Sequence, residues 1–395
     1  MAAKEIKKGI YWVGAVDWDR VLFDELVALP EGTSYNAYLV VGSEKVALID
    51  TVEPYKKKEL FENLEELGVD SIDYVISNHA EQDHSGSIPY VLEKFPEAKV
   101  VTNAKCKGML QDFFSLPDDV FKIISDRETL SLGDKTLQFF MAPWVHWPET
   151  MFTYAVEDKV LFPCDFLGSH IATSELFDTT DENRAKVYLE TKRYYAEIMM
   201  PFRNFIKKHL ALIDELSPEI IAPSHGVVIK ETEFILNAYK EWVSDDVKPL
   251  VLIPFVSMHE STRVMVEFLT RELSKRGVRV RPYNLITSDL SNIAMDLVDA
   301  AAVVFASPAV LAGAHPSVIG FAYLMNGLRP KTRFLSLIGS YGWSGTVVEK
   351  HIKGVLSVIK AEWIDSVLVK GTPKENDFKK LEVLAEILSE KLSTV

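Results

Sequence analysis

Apolar residues in the first 160 positions come mostly in short blocks separated by turn residues. "NAYLVV" (Asn36 to Val41) and "KVALIDT" (Lys45 to Thr51) flank Gly42-Ser43-Glu44, the pattern of a β-hairpin. "LSLGDKTLQFFMAP" repeats it around Gly133-Asp134, and "MFTYAVEDKVLFPCD" around Glu157-Asp158. Helical spacing of apolar positions marks Tyr55 to Leu67, Ile88 to Phe95 and a long stretch from Asn183 to Leu216. Hairpins with helices interspersed predict a layered α+β domain of the αββα kind.

The pattern changes near Asp245-Asp246-Val247. Beyond it, continuous apolar runs alternate with amphipathic stretches. "PLVLIPFVS", "VRVRPYNLI", "AAVVFASPA", "RFLSLIGS" and "WIDSVLVKG" are separated by helices around 261–276, 289–297, 317–328 and 346–360, and a last helix spans 375–392. Strands apolar on both faces belong to a parallel sheet covered by helices. Five βα units predict a flavodoxin-like domain whose ligand sits at the carboxyl ends of the strands. The boundary falls near residue 247, giving domains 1–247 and 248–395.

Composition narrows the function. The chain has 395 residues, 48% hydrophobic and 25% charged, enough for two cores. A net charge of -14 argues against a general nucleic-acid or anionic-membrane binder. Its two cysteines, Cys106 and Cys164, form no Cys-x-x-Cys, which excludes iron–sulfur ligation and a disulfide framework. The start "MAAKEIKKGIYW" has no apolar signal region. The apolar stretch Ala300 to Ala314 is broken by Ser307, Pro308 and Gly313 and is too short for a bilayer. A cytoplasmic protein is expected.

The chemistry concentrates in "SNHAEQDHSGS" (Ser77 to Ser87), which follows the apolar run "IDYVIS". His79, Glu81, Asp83 and His84 there have little packing value and a large desolvation cost if left unpaired, and a metal accounts for them economically. His146, Asp165 and His225 also close apolar strands, so all seven can meet at one sheet edge. Three carboxylates with four imidazoles exceed one tetrahedral site and suit two metals, and the carboxylates favour iron over zinc. His170, His209 and His351 read instead as ordinary hydrogen-bonded or solvated residues. Three loops at strand ends suit a flavin. Ser257, Met258, His259, Ser261 and Thr262 open a helix that can cradle a phosphate. Ser307, Pro308, Ala309, Val310, Leu311, Ala312 and Gly313 form the second. Ser340, Tyr341, Gly342, Trp343, Ser344 and Gly345 form the third, with aromatics to lie against a ring system.

The first motif resembles the His-x-His-x-Asp-His signature of the metallo-β-lactamase superfamily, with Glu81 in place of the third-position histidine of its zinc hydrolases. That exchange, the order of His146, Asp165 and His225, and the words "HWPETM" and "RYYAEIMMPF" resemble the flavodiiron proteins over essentially the whole chain. The resemblance implies FMN and two non-haem irons per chain. His79, Glu81 and His146 would hold the iron nearer the flavin, and Asp83, His84 and His225 the other, although that first histidine of the pair is not always bound in the family. Asp165 would bridge, with Tyr195 and Trp147 behind the ligands. It implies reduction of O2 to water, or of NO to N2O, with electrons from rubredoxin or a reduced deazaflavin (F420). It also implies a head-to-tail homodimer or a dimer of dimers. Two departures are notable: Glu260 stands where a glycine is frequent, and Leu311 replaces an asparagine. Two rival readings are a zinc hydrolase fused to a flavodoxin, and an electron carrier with a degenerate first domain. Glu81 and the complete ligand set speak against them.

Overall fold

The computed structural model describes all 395 residues apart from the side chain of Thr346. The chain divides into two compact units, Met1–Tyr195 with Phe202–Val243, and Ala196–Pro201 with Ser244–Val395.

The first unit holds two facing sheets. One runs, in spatial order, through Lys4–Lys7, Ile10–Trp12, Tyr38–Val41, Val46–Ile49, Tyr74–Ile76, Lys99–Thr102 and Phe121–Ile123. Its early strands pair antiparallel, and its last four are parallel. The other runs through Thr129–Ser131, Thr136–Met141, Met151–Ala155, Val160–Phe162 and Ile220–Ile221. Alternation decides what lies between them. Tyr38, Val40, Ala47, Ile49, Ile76 and Val101 share one core with Leu137, Phe139, Met151, Ala155, Val160 and Phe162. The intervening Leu39, Leu48, Val75 and Val100 are fully buried as well, so the first sheet is covered on both faces. This is the αββα sandwich expected from the hairpin pattern.

The long helical stretch is interrupted. Asp181–Tyr194 and Arg203–Leu216 are α-helices, but Tyr195–Met199 widens into a π turn and Met200–Phe202 tightens into a 3-10 turn. Pro201 lies in the break; it has no N–H to continue an α-helical ladder.

In the second unit five parallel strand positions follow the order Arg279–Asn284, Lys248–Phe255, Ala300–Ala306, Phe334–Tyr341, then Glu362–Trp363 with Val367–Lys370. That is the flavodoxin order 2-1-3-4-5. The last strand is split, a correction to the single run expected. Leu335 pairs with Trp363 and Ile338 with Val367, so three residues of one strand oppose two of the other, a bulge. Helix Glu375–Leu392 buries Leu381, Leu384, Ala385, Leu388 and Leu392, an i, i+3, i+4, i+7 stripe packed with Met265, Leu269 and Leu273 of helix Ser261–Lys275. Helix Gly345–Val355 ends five residues before the expected 360, just past Gly354. No helix of the described residues is long and apolar enough to cross a membrane.

Candidate functional site

The loop carrying His79 and Glu81 leaves strand Tyr74–Ile76 and enters a short helix, Gln82–Ser85, that carries Asp83 and His84. Both sheets hold it. Asp50, at the end of strand Val46–Ile49, accepts from the Asn78 backbone N–H (2.8 Å) and Nδ2 (2.9 Å). From the second sheet, Thr153 Oγ1 donates to Asn78 Oδ1 at 2.7 Å. Thr51 Oγ1 and Ser85 Oγ donate to the carbonyls of His84 and Ala80. His146 follows strand Thr136–Met141, Asp165 follows Val160–Phe162, and His225 follows Ile220–Ile221. Non-glycine residues in the left-handed region flank these positions, at Asp50, Trp144, Cys164 and Leu167. Such backbone is held where the surroundings over-determine it, as at functional sites. Gly226, at φ 82°, is required: a Cβ there would stand 2.3 Å from Ser169 Oγ.

All seven sequence-derived donors converge. His79, Glu81, His146 and Asp165 form one group and Asp83, His84 and His225 the other, the donor atoms of each lying within 4.8 Å of one another. The fine geometry splits Asp165 between them. Its Oδ2 lies 3.5 Å from His79 Nε2 and 3.3 Å from His146 Nε2; its Oδ1 lies 3.0 Å from His84 Nε2 and 3.3 Å from His225 Nε2. Glu81 Oε2 completes the first group, 3.1 Å from His79 Nε2 and 3.3 Å from His146 Nε2. Asp83 completes the second, Oδ2 3.1 Å from His225 Nε2 and Oδ1 3.3 Å from His84 Nε2.

Several of these contacts are close without being hydrogen bonds. Both oxygens of Asp83, both of Asp165 and both nitrogens of His84 are buried with no hydrogen-bond partner. Leaving so many polar atoms unsatisfied is costly unless they share a common partner. Corners of a tetrahedron or octahedron with metal–ligand bonds near 2.1 Å stand about 3.0–3.4 Å apart, the spacing found here. The donor set therefore fits two metal ions bridged by Asp165.

Electrostatics agree. Burial pushes the imidazole of His225 down, but Asp165 and Asp83 outweigh it and raise it to about 10. His146 is likewise lowered by burial yet held up by Asp165 and Glu81, at about 9. Burial raises Asp165, and the surrounding histidines pull it well below the usual range. Three carboxylates so close together and largely buried demand positive charge. Cys164 lies beside His84 and Asp165, but burial and Asp165 push its thiol well up and Ser224 Oγ donates to its sulfur. Cys106 is buried too, its thiol pushed up to about 12 by burial.

Around the donors, Trp147 sits where expected, its ring 4.9 Å from His79 and edge-on. Tyr195 does not. Its hydroxyl donates to the Trp242 carbonyl at 3.3 Å and its ring packs on Tyr239 and Trp242. Tyr194 is the tyrosine at the cluster, 4.8 Å from the His170 ring and 6.0 Å from that of His225. The π turn begins between the two, and sequence periodicity carries no sign of it. His170 is hydrogen-bonded, to Thr33 Oγ1 at 2.8 Å, but it also packs 4.8 Å from His225. Glu149, unremarked inside "HWPETM", lies 2.7 Å from His79 Nδ1. A carboxylate three residues beyond His146 was the signal available for it. A cavity of about 230 Å³, lined by Arg20, Asp24, Glu53 and Trp147 among others, reaches Glu81 and Asp83.

In the second unit a cavity of about 270 Å³ lies at the carboxyl ends of the parallel strands. Met258, His259, Ser261, Thr262, Pro308, Ala309, Ser340, Tyr341 and Gly342 line it. Gly371 and Thr372, after the last strand, line it too, and neither carries a mark in the sequence that sets it apart from an ordinary turn residue. Thr262 Oγ1 and Ser340 Oγ stand 3.1 Å apart at the opening of helix Ser261–Lys275. No carboxylate lines this cavity. Glu260 is mostly exposed and pairs with Arg263 Nε at 3.0 Å, so its charge is turned aside. Hydroxyls, a helix start and apolar walls fit a phosphorylated aromatic ligand such as FMN. The other expected residues lie outside the lining. Ser257 Oγ accepts from Arg263 N, and Ser307 Oγ donates to Pro308 O while accepting from His315 N. Ala309–Val310 and Gly313–Ala314 pair as a small hairpin whose tip, Leu311, is 86% exposed. Gly313 backs onto His351. Trp343 is exposed, and Ser344 and Gly345 open the next helix.

A family model described as ODP family beta lactamase matches residues 33–226, nearly all of them in the first unit. The nitric oxide reductase of Moorella thermoacetica is 35% identical, with 98% of each chain covered. The coenzyme F420H(2) oxidase of Methanothermobacter marburgensis is 35% identical over 87% of each. The solved rubredoxin oxygen:oxidoreductase of Desulfovibrio gigas superposes with a TM-score of 0.93 at 31% identity, covering 99% of both chains. Full-length similarity of both units, together with Glu81 in the first motif, places this chain in the flavodiiron protein family.

Proposed function

We propose that the protein is a flavodiiron oxidoreductase that reduces O2 to water, and in the same pocket NO to N2O, with electrons entering through FMN from a separate donor, rubredoxin or a reduced deazaflavin. The observation that carries this reading is Asp165: a fully buried carboxylate presenting one oxygen to each of two donor groups. When bound, FMN supplies electron storage, and a pair of irons supplies the redox chemistry in which one O2 takes four electrons and four protons to give two waters.

The chain's own residues support that chemistry. His79, Glu81 and His146 would hold one iron, Asp83, His84 and His225 the other, and Asp165 both. Trp147 stands edge-on to His79 and walls the adjoining cavity through which Glu81 and Asp83 are reached. Glu53 and Asp24 line the same cavity. Burial raises both carboxyls, helped by Asp83 for Glu53 and by Glu81 for Asp24. Each holds a proton more readily than an exposed acid, within reach of the substrate space. Ser261, Thr262 and Ser340 would hold the FMN phosphate, and Tyr341 the ring system.

A zinc hydrolase is the other reading this fold permits, and metal content separates the two. Protein purified without oxygen is expected to carry two irons and one FMN per chain, measured by elemental analysis and by the flavin released on denaturation. Chelation of the metal should abolish O2 and NO consumption while leaving flavin absorbance in place. Two zincs together with ester hydrolysis would replace the reductase by the hydrolase.

A further inference from the structure

The two donor groups are matched in kind. Each has two imidazoles and one carboxylate of its own, with Asp165 shared. Donor count therefore cannot make the metals differ. The first group is if anything the more open, with Glu81 and His146 partly exposed while Asp83, His84 and His225 are buried. What can favour the first position stands behind its ligands. There the groups diverge. His79 Nδ1 lies 2.7 Å from Glu149 Oε1, and the same oxygen accepts the Ala80 backbone N–H at 3.0 Å. Glu149 is 2% exposed, and its backbone carbonyl is tied down by Asn103 Nδ2 at 2.7 Å. In the other group His225 Nδ1 meets only a neutral carbonyl, Ser34 O at 2.6 Å, and His84 Nδ1 has no hydrogen-bond partner.

We propose that Glu149 makes the two metal positions unequal, so that the position at His79, Glu81 and His146 fills first and empties last. A carboxylate behind a metal-bound histidine fixes its tautomer, locks its ring and makes the metal-facing nitrogen more basic. A backbone carbonyl does the first two without adding charge. An outer nitrogen with no partner, as at His84, leaves the tautomer unfixed and adds no charge behind the metal-facing nitrogen. Glu149 is thus a positioning residue that acts through His79. The inference rests on the reading of the cluster as a two-metal centre.

The test is stepwise reloading of chelated protein, flavin in place, with Co2+ under argon, followed by visible absorption and calorimetry. Two steps are expected, the first about 10- to 100-fold tighter than the second. Glu149→Gln keeps an oxygen for both N–H donors while removing the charge, and it should bring the two affinities together. Glu81→Gln should remove the tight step and Asp83→Asn the weak one. Uptake of both equivalents in a single step by the unaltered protein overturns the proposal even if no variant folds. A gap unchanged in Glu149→Gln overturns the role of that carboxylate. Failure of the unaltered protein to bind two equivalents at all overturns the two-metal reading itself, and the proposal with it.

Discussion

Replacing Asp165 with alanine should empty the metal centre. Iron is expected to fall from two per chain to well below one, and O2 and NO reduction by at least about 1000-fold, well beyond the 10- to 100-fold typical of losing an outer hydrogen-bond partner. The reason is geometric. Every histidine of the cluster has its Nε2 within 3.5 Å of an Asp165 oxygen, two on Oδ2 and two on Oδ1. Alanine removes one donor from each metal at once, together with the charge that holds four imidazoles together. Asp165→Asn separates the two losses: it keeps the volume and one carbonyl oxygen, so it should retain a single metal. FMN content, read from released flavin, should be unchanged in both, because the flavin cavity is built wholly from 258–372. Two irons retained in Asp165→Ala would mean that this carboxylate is not the bridge.

The parts of this centre that were legible in the sequence are those whose chemistry is unusual for their position. Four donors packed between Ser77 and Ser85 have no apolar purpose, and histidines closing apolar strands announce a sheet edge. Glu149 and Tyr194 lacked that mark. Glu149 is one acid among many until the chain folds and its carboxylate proves to be buried behind His79. Tyr194 and Tyr195 are adjacent, and either fits a helix facing the cluster. One ring meets His170 and the other Trp242, and periodicity alone does not say which, because the helical stretch breaks into a π turn at this point. The parallel sheet was readable because both of its faces are buried, which leaves continuous apolar runs. The bulge splitting the last strand was not, since a bulge preserves apolar character and alters only the pairing.

Ser261→Asp should strip the flavin while leaving the fold intact. Ser261 is the first residue of helix Ser261–Lys275 and lines the cavity. An acid in a first helical turn favours the helix itself, because it faces the positive end of the macrodipole. The same charge about 4 Å from a phosphate costs roughly 4 kcal/mol at an effective dielectric of 20, a loss of 100- to 1000-fold in FMN affinity. Ser261→Ala gives up one hydrogen bond and should cost no more than about tenfold. The iron content of Ser261→Asp should stay at two per chain. This variant and Asp165→Ala then become halves of one experiment: the first lacks flavin and keeps its metals, the second the reverse. Neither chain alone can pass electrons from FMN to iron. If the protein is a head-to-tail dimer in which each flavin serves the partner's irons, co-expressed chains pair at random, half of the dimers are mixed and each has one working couple. Activity should return to about a quarter of the wild-type value. If flavin and irons work within one chain, every couple in the mixture is broken and activity stays at the level of the single variants.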